Sequence, residues 1–289
     1  FAFMQNYLPK YNIKTHFVDT TNLDEIKSKI NKKTKLINCE TMSNPLLEVS
    51  DIKSISKLAK AHNIKLIVDN TFTPMIFTPK ELGADIVIHS LTKFINGTSD
   101  TVGGIICSNE EFISNLIDVN SGSAMLLGPV MDSMRAASIL KNLRTLHIRI
   151  KKHSENAMYL SEKFFKKGIS VIYPGLKNHP QNQLMLQQMN REFGFGGMFV
   201  IDMKTKEAAN LLMEEMQTIN LGYLAVSLGF YKTLFSAPSH STSSEIPENE
   251  RKNIGLSDGL VRISIGLDND IERTYKLMKK CIEKVNSSL

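Results

Sequence analysis

Tryptophan is absent from these 289 residues, and cysteine occurs three times, as Cys39, Cys107 and Cys281. The three are far apart and odd in number, with no CxxC pair and no Cys/His ligand spacing. This argues against a disulfide framework and offers no metal site. It predicts small buried hydrophobes in a reducing compartment such as the cytoplasm. No apolar run approaches the length of a membrane span and no signal peptide is visible, so no membrane partner is expected. GxxxxGKS, HExxH and GxSxG are missing too. GFGGMF (194–199) precedes an apolar run instead of following one, which reads as a tight turn with close backbone approach. Charge of one sign is not dominant: 35 Lys and Arg face 29 Asp and Glu, a formal net charge of +6. The only dense basic runs are KSKINKKTK (27–35) and RIKKH (149–153). They read as solvated helix faces or turns without interleaved aromatics, so nucleic acid is not an expected partner.

What is present is a foldable composition, 42% hydrophobic and 22% charged, at a length that allows one large domain or two ordinary ones. The opening FAFMQNYLPKYNI has no initiator methionine and enters helical spacing at once, which predicts that the chain begins partway into a longer protein. Short apolar runs then alternate with amphipathic helices. KLINCE (35–40), IKLIV (64–68), ADIVIHS (84–90) and GGIICS (103–108) read as strands. SDIKSISKLAKAHN, with Ser50 as N-cap, and SNEEFISNLIDV read as capped helices. Such alternation predicts an α/β fold with a mostly parallel sheet covered on both faces. A long helical stretch over 131–167, broken near Asn142, bridges to a smaller α+β part. That part holds SVIY, a Pro/Asn/Gln-rich loop (174–186), GGMFVIDM, the helix KEAANLLMEEMQ and a last helix from Asp270. The expected division is 1–144 and 145–289.

In sheets of this kind ligands gather at the carboxyl ends of the strands. Polar residues fall at those ends three times in succession: Glu40 with Asn44, then Asp69, then Ser90 to Lys93 in HSLTKF. An amine placed there can bond an aldehyde cofactor, given hydroxyls for a phosphate and a carboxylate for a ring nitrogen. Pyridoxal 5'-phosphate (PLP) demands that set. Lys93 supplies the amine, Ser90 and Thr92 the hydroxyls, Asp69 the ring-nitrogen partner, and Asn44 a donor to the phenolic oxygen. Each has a plain structural alternative. Asp69-Asn70-Thr71 is turn chemistry, Ser90 and Thr92 form a capping pair, and Lys93 is an ordinary surface amine. Their coincidence at successive strand ends favours the cofactor site. Near the end, Arg262 lies inside the alternating segment GLVRISIG (259–266). Buried there, it needs an anion: a substrate carboxylate, with Ser227 of AVSLG beside it, or a structural ion pair. His240, in the polar loop SAPSHSTSSE (236–245), reads as a solvated loop histidine.

ETMSNP, IVDNTF, GADIVIHSLTKFINGTSD, LRTLHIRIKKHSENA, AVSLG and SDGLVRISIGLD span almost the whole chain. Taken together, these stretches resemble the Cys/Met-metabolism (trans-sulfuration) family of PLP-dependent enzymes. The resemblance implies the aspartate-aminotransferase-like fold (fold type I) with its N-terminal part missing. It implies Lys93 as Schiff-base lysine and Asp69 as ring partner, with Ser90 and Thr92 on the phosphate, Asn44 on the ring and Glu40 supporting that site. Ser227 and Arg262 would hold the substrate carboxylate. The implied activity is C–S lysis of a sulfur amino acid, by γ-elimination from methionine or cystathionine, in a homotetramer. That direction rests on SLGFYKTL and STSSEIP (241–247). Alternatives are γ-replacement, as in a synthase or sulfhydrylase, and a non-catalytic PLP-fold domain. Two departures stand out: Thr98 occupies a position that is His in many members, and the family's N-terminal third, with its Tyr-x-Arg pair, Ser-Gly-Met turn and ring-stacking tyrosine, is not in the sequence.

Overall fold

In the computed structural model, which describes residues 2–240 and 256–288, the first sheet is built from Leu36–Glu40 (β1), Lys65–Asp69 (β2), Ile86–Ser90 (β3) and Gly104–Cys107 (β4) in that spatial order. β1, β2 and β3 are parallel, and Glu40 stands opposite Asp69 in the register. β4 runs antiparallel to β3. The segment 91–103 between them holds one helical turn, Leu91–Ile95, and no crossover helix, and the chain returns antiparallel. All four β4 residues are exposed. Cys107 therefore departs from the expected burial, while Cys39 and Cys281 are buried as free thiols.

Leu23–Lys29 (α1) and Ile52–Ala61 (α2) lead into and alternate with these strands. The cap of α2 is Asp51 and not Ser50: Asp51 Oδ1 accepts from the Ser54 backbone N–H at 3.0 Å and Oδ2 from the Ser54 hydroxyl at 2.6 Å. A carboxylate is the stronger acceptor at a helix N-terminus. The Ser50 hydroxyl donates to Thr20 Oγ1 instead, at 3.1 Å. Glu110–Ile117 (α3) is capped by Asn109, and Ser123–Leu127 (α4) follows. The long helical stretch divides into Ser133–Leu143 (α5) and Leu146–Lys166 (α6), broken beyond Asn142.

The second sheet takes Val171–Ile172 (β5), Met198–Asp202 (β6), Tyr223–Leu224 (β7), Leu234–Ser236 (β8) and Leu260–Ser264 (β9) in the order β5-β6-β9-β8-β7. Its helices are Asn182–Gln188 (α7), Lys206–Thr218 (α8) and Ile271–Ser288 (α9). α7 begins inside a segment expected to be a loop. Met185 is fully buried there, and the Gln188 side chain bonds the Lys53 N–H and the Ser50 carbonyl, so distant contacts outweigh a polar local sequence.

Helix α6 joins the two halves of the core. Leu146 and Ile150 belong to the cluster under the first sheet, and Ala157, Leu160 and Phe164 to the cluster under the second. These residues recur at helical spacing on one face. Truncating the fully buried Phe164 to Ala would cost ~3–5 kcal/mol. GFGGMF is the close approach expected: a Cβ on Gly197 would lie 2.7 Å from His153 Cβ. No helix among the described residues is long and apolar enough to cross a membrane, and no group of His, Cys, Asp or Glu among them could hold a metal ion.

Candidate functional site

The carboxyl ends of β1, β2 and β3 open into a cleft of about 190 Å³. Glu40, Asn44, Asp69, Ser90, Lys93 and Arg262 line it, with Met42, Phe72 and Leu228 as apolar wall. The parallel register brings Glu40 and Asp69 side by side. Thr71 ties the next pair of ends together: its N–H donates to Asp69 Oδ1 at 2.9 Å, and its Oγ1 accepts from the Ser90 backbone N–H at 2.8 Å. Neither Asp69 Oδ2 nor the Ser90 hydroxyl has a hydrogen bond from protein among the described residues. Both remain available to a ligand.

Lys93 sits in the helical turn Leu91–Ile95 directly after β3, and its own backbone (φ −88°, ψ −129°) interrupts the turn. Its Nζ donates to Ser227 Oγ at 3.0 Å, a contact across 134 positions of sequence. Burial lowers the pKa of this amine, and the nearby charge of Arg262 lowers it further. Arg262, on β9, is only 1% exposed. Its Nη1 donates to Asn44 Oδ1 at 2.8 Å and its Nη2 to the carbonyls of Val226 and Ser227 at 3.2 Å. All three acceptors are neutral, and no carboxylate among the described residues pairs with the guanidinium. Burial brings its pKa down to about 10. Of the two readings of Arg262, the structural ion pair therefore has no partner there.

Glu40 is open to the cleft yet walled by protein. That surrounding, and then the adjacent Asp69 charge, push its carboxyl up to about 7. The Asn44 backbone N–H donates to Glu40 Oε2 at 3.2 Å. Thus Asn44 binds Glu40 through its backbone and Arg262 through its side chain, linking the acidic and basic sides.

Six of the eight expected residues line one cleft, and Ser227 reaches it through Lys93. Thr92 is placed differently. Its Oγ1 accepts from the Gly103 N–H at 3.0 Å and donates to the Gly103 carbonyl at 3.3 Å, closing the base of the loop after Lys93. Thr71, which the sequence offers only as turn chemistry, also lines the cleft. The VDNT run carried the signal. His240's side chain and STSSEIP lie outside the described residues.

The donor set fits PLP: an amine of lowered basicity, an open carboxylate oxygen, an open hydroxyl and an unneutralised arginine. Over residues 1–276 the chain matches the family model described as Cys/Met metabolism PLP-dependent enzyme. It is 39% identical over 282 residues to a methionine gamma-lyase of Arabidopsis thaliana, covering 96% of this chain and 64% of that protein. It is 39% identical over 290 residues to a cystathionine beta-lyase of Lactococcus lactis subsp. cremoris, covering 98% and 73%. The crystal structure of metB from Corynebacterium glutamicum superposes with a TM-score of 0.89 at 33% identity, over 98% of this chain and 71% of that one. The chain spans slightly under two thirds of the Arabidopsis relative's length.

Proposed function

Because this chain belongs to the Cys/Met-metabolism family of PLP-dependent enzymes, we propose that the full-length protein is a carbon–sulfur lyase acting on a sulfur amino acid, methionine or cystathionine, by γ-elimination. The observation that carries this reading is the buried, carboxylate-free Arg262 in the same cleft as the Lys93 amine. A planar fork held among neutral acceptors is a receptor for the α-carboxylate of an amino acid. PLP bound there supplies an aldehyde for an amine and a ring that takes up electron density from Cα. Lys93 then holds and returns the Cα proton, with Ser227 keeping its Nζ over the cleft. Asp69 would hold the positive charge of a protonated ring nitrogen, and Asn44 and Glu40 would support the ring. Ser90 would serve the phosphate, and Thr92 would do so on turning its hydroxyl away from the Gly103 carbonyl. When the Cγ–S bond breaks, sulfur leaves as a thiol. Uptake of water then releases ammonia and a 2-oxo acid, so atoms balance for methionine plus water.

In this reading residues 1–144 form the PLP-binding part and 145–289 the substrate-side part. The relatives, a methionine gamma-lyase and a cystathionine beta-lyase, support the choice of lysis. Unpaired cysteines support the cytoplasm as its compartment. Exposed apolar side chains such as Val102, Leu127, Val130 and Met134 support association of copies, as in a homotetramer.

The test is incubation of the full-length protein with methionine, and separately with cystathionine, without added nucleophile. Thiol, ammonia and 2-oxo acid are expected in equal amounts. Silence towards both, with product only from an acylated homoserine plus a thiol, replaces lysis by γ-replacement. Borohydride reduction should fix the cofactor on Lys93. Colourless protein with nothing fixed would leave a non-catalytic PLP-fold domain.

A further inference from the structure

The turn that carries Lys93 is gripped from outside the cleft by a single side chain. Arg149, in the first turn of α6, donates from Nη1 to the Phe94 carbonyl at 2.5 Å. Its Nη2 donates to the carbonyls of Ile95 and Asn142 at 2.8 and 2.9 Å, and its Nε to Thr145 Oγ1 at 3.2 Å. Every acceptor is neutral, so the grip is a matter of fork geometry and not of charge pairing. In the turn itself, the Leu91 carbonyl accepts from the Asn96 N–H and the Lys93 carbonyl from the Gly97 N–H. The carbonyls of Phe94 and Ile95 are the ones left over where a helical turn ends, and such groups need an outside donor. Arg149 supplies it to both.

The surroundings leave room for this contact. A Cβ on Gly97 would lie 2.4 Å from Arg149 Nη1, so the glycine of KFING, at φ +74°, keeps the guanidinium's seat open. Phe94 is held on its other sides too. Its ring meets His153, one turn further along α6, edge to face at 5.3 Å. Its backbone lies so close to Gly229 that a Cβ there would come within 2.4 Å of Phe94 N. Gly229 belongs to the same short loop as Ser227, the acceptor of Lys93. The register between the amine and its acceptor therefore depends on where Phe94 sits.

We propose that Arg149 is the positioning residue for Lys93: by fixing the two carbonyls that follow the lysine, its fork sets where the amine points. This rests on the reading of Lys93 as the cofactor-bonding amine, yet the two can fail separately.

The experiment measures the apparent pKa of Lys93 in cofactor-free full-length protein, from the pH dependence of its acetylation followed by peptide mass spectrometry. Arg149→Lys keeps the charge and loses the fork; Arg149→Met loses both. In each, Lys93 should swing towards water and the midpoint of its acetylation profile should move to higher pH, because relief of burial favours the charged amine. The rise in Arg149→Lys isolates geometry from charge. Thr145→Val, at an exposed position, removes the Nε acceptor and the Thr145 hydroxyl's own bond to the Asn142 carbonyl. It leaves the guanidinium and its bonds to Phe94 and Ile95, and should give a smaller rise of the same sign, so the proposal stays testable if Arg149→Met fails to fold. A merely structural arginine would lower the melting temperature and leave the Lys93 pKa alone. An unchanged Lys93 pKa in folded Arg149→Lys or in Thr145→Val overturns the proposal. Failure of borohydride to fix PLP on Lys93 in the unaltered protein would instead overturn the reading of Lys93 and leave the pKa result standing.

Discussion

Lys93 Nζ and Ser227 Oγ meet at 3.0 Å, and the same Ser227 offers its backbone carbonyl to Arg262 Nη2 at 3.2 Å. One residue thus touches both cations of the cleft, the amine through its hydroxyl and the guanidinium through its main chain. Removing the hydroxyl should act on the amine alone. Ser227→Ala is expected to lower kcat by about tenfold, the value of a hydrogen bond to a charged group, with KM nearly unchanged. Steady-state kinetics on the full-length protein decide it. A raised KM with normal kcat would make Ser227 a contact of the substrate.

Asp69→Asn keeps the Thr71 N–H contact, since an amide oxygen can still accept it. What disappears is the negative charge that, in the proposed function, stands beside the ring nitrogen. Cofactor content by absorbance should therefore stay near that of the unaltered protein while turnover falls by several kcal/mol of transition-state stabilisation, on the order of an oriented charge in a dry site. Turnover at the original rate would remove Asp69 from the chemistry.

The sequence made parts of this site legible because a buried strand announces its end. Asp69 and Ser90 follow runs of Leu, Ile and Val, and a polar residue at such a boundary has few positions open to it. Arg262 was legible for the opposite reason, a charge inside an apolar alternation. Thr92 and Arg149 were not readable in the same way. The bond of Thr92 to Gly103 and that of Arg149 to Phe94, 55 positions away, follow from how the chain packs and leave no local periodicity. Helix α7 was hidden likewise, since the contacts of Gln188 with Ser50 and Lys53 cross to a distant segment. Ser50 and Asp51 show the finer limit: both residue types cap helices well, and what separates them here is the stronger carboxylate acceptor together with the bond that takes the Ser50 hydroxyl to Thr20.

Arg262→Lys tests whether a fork or merely a positive charge holds the substrate. A lysine cannot reproduce two parallel donations to a carboxylate. KM should rise by about tenfold or more, the value of one hydrogen bond to a charged group, since the lysine keeps the charge and loses the second donation. PLP content should not change. Equal KM for both proteins would show that a positive charge suffices and that the fork is not what holds the carboxylate.

Glu40 predicts a pH dependence of stability that runs against the usual carboxylate. Walled by protein and facing Asp69, its carboxyl titrates at about 7 in the fold against an ordinary 4.5. Between those values the folded chain holds a proton that the unfolded chain has lost, so this residue's contribution is full below the lower value and is lost as pH rises through the upper one. Burial of His153 and His179 works in the opposite sense. Their pKa values are brought down to about 4, so their contribution is present above the ordinary 6.5 and is lost as pH falls towards 4. The total curve mixes these effects, and a comparison of two proteins separates them. Glu40→Gln keeps an oxygen for the Asn44 N–H, which lies 3.2 Å from the carboxylate, and removes the titration. Thermal unfolding of both proteins at matched ionic strength should give Tm values whose difference changes steadily in favour of the glutamine variant from about pH 5 to about pH 8. The histidines contribute equally to both and cancel. Parallel Tm curves across that range would mean that Glu40 titrates as an ordinary solvated carboxylate, and that the pair it forms with Asp69 stores no charge repulsion.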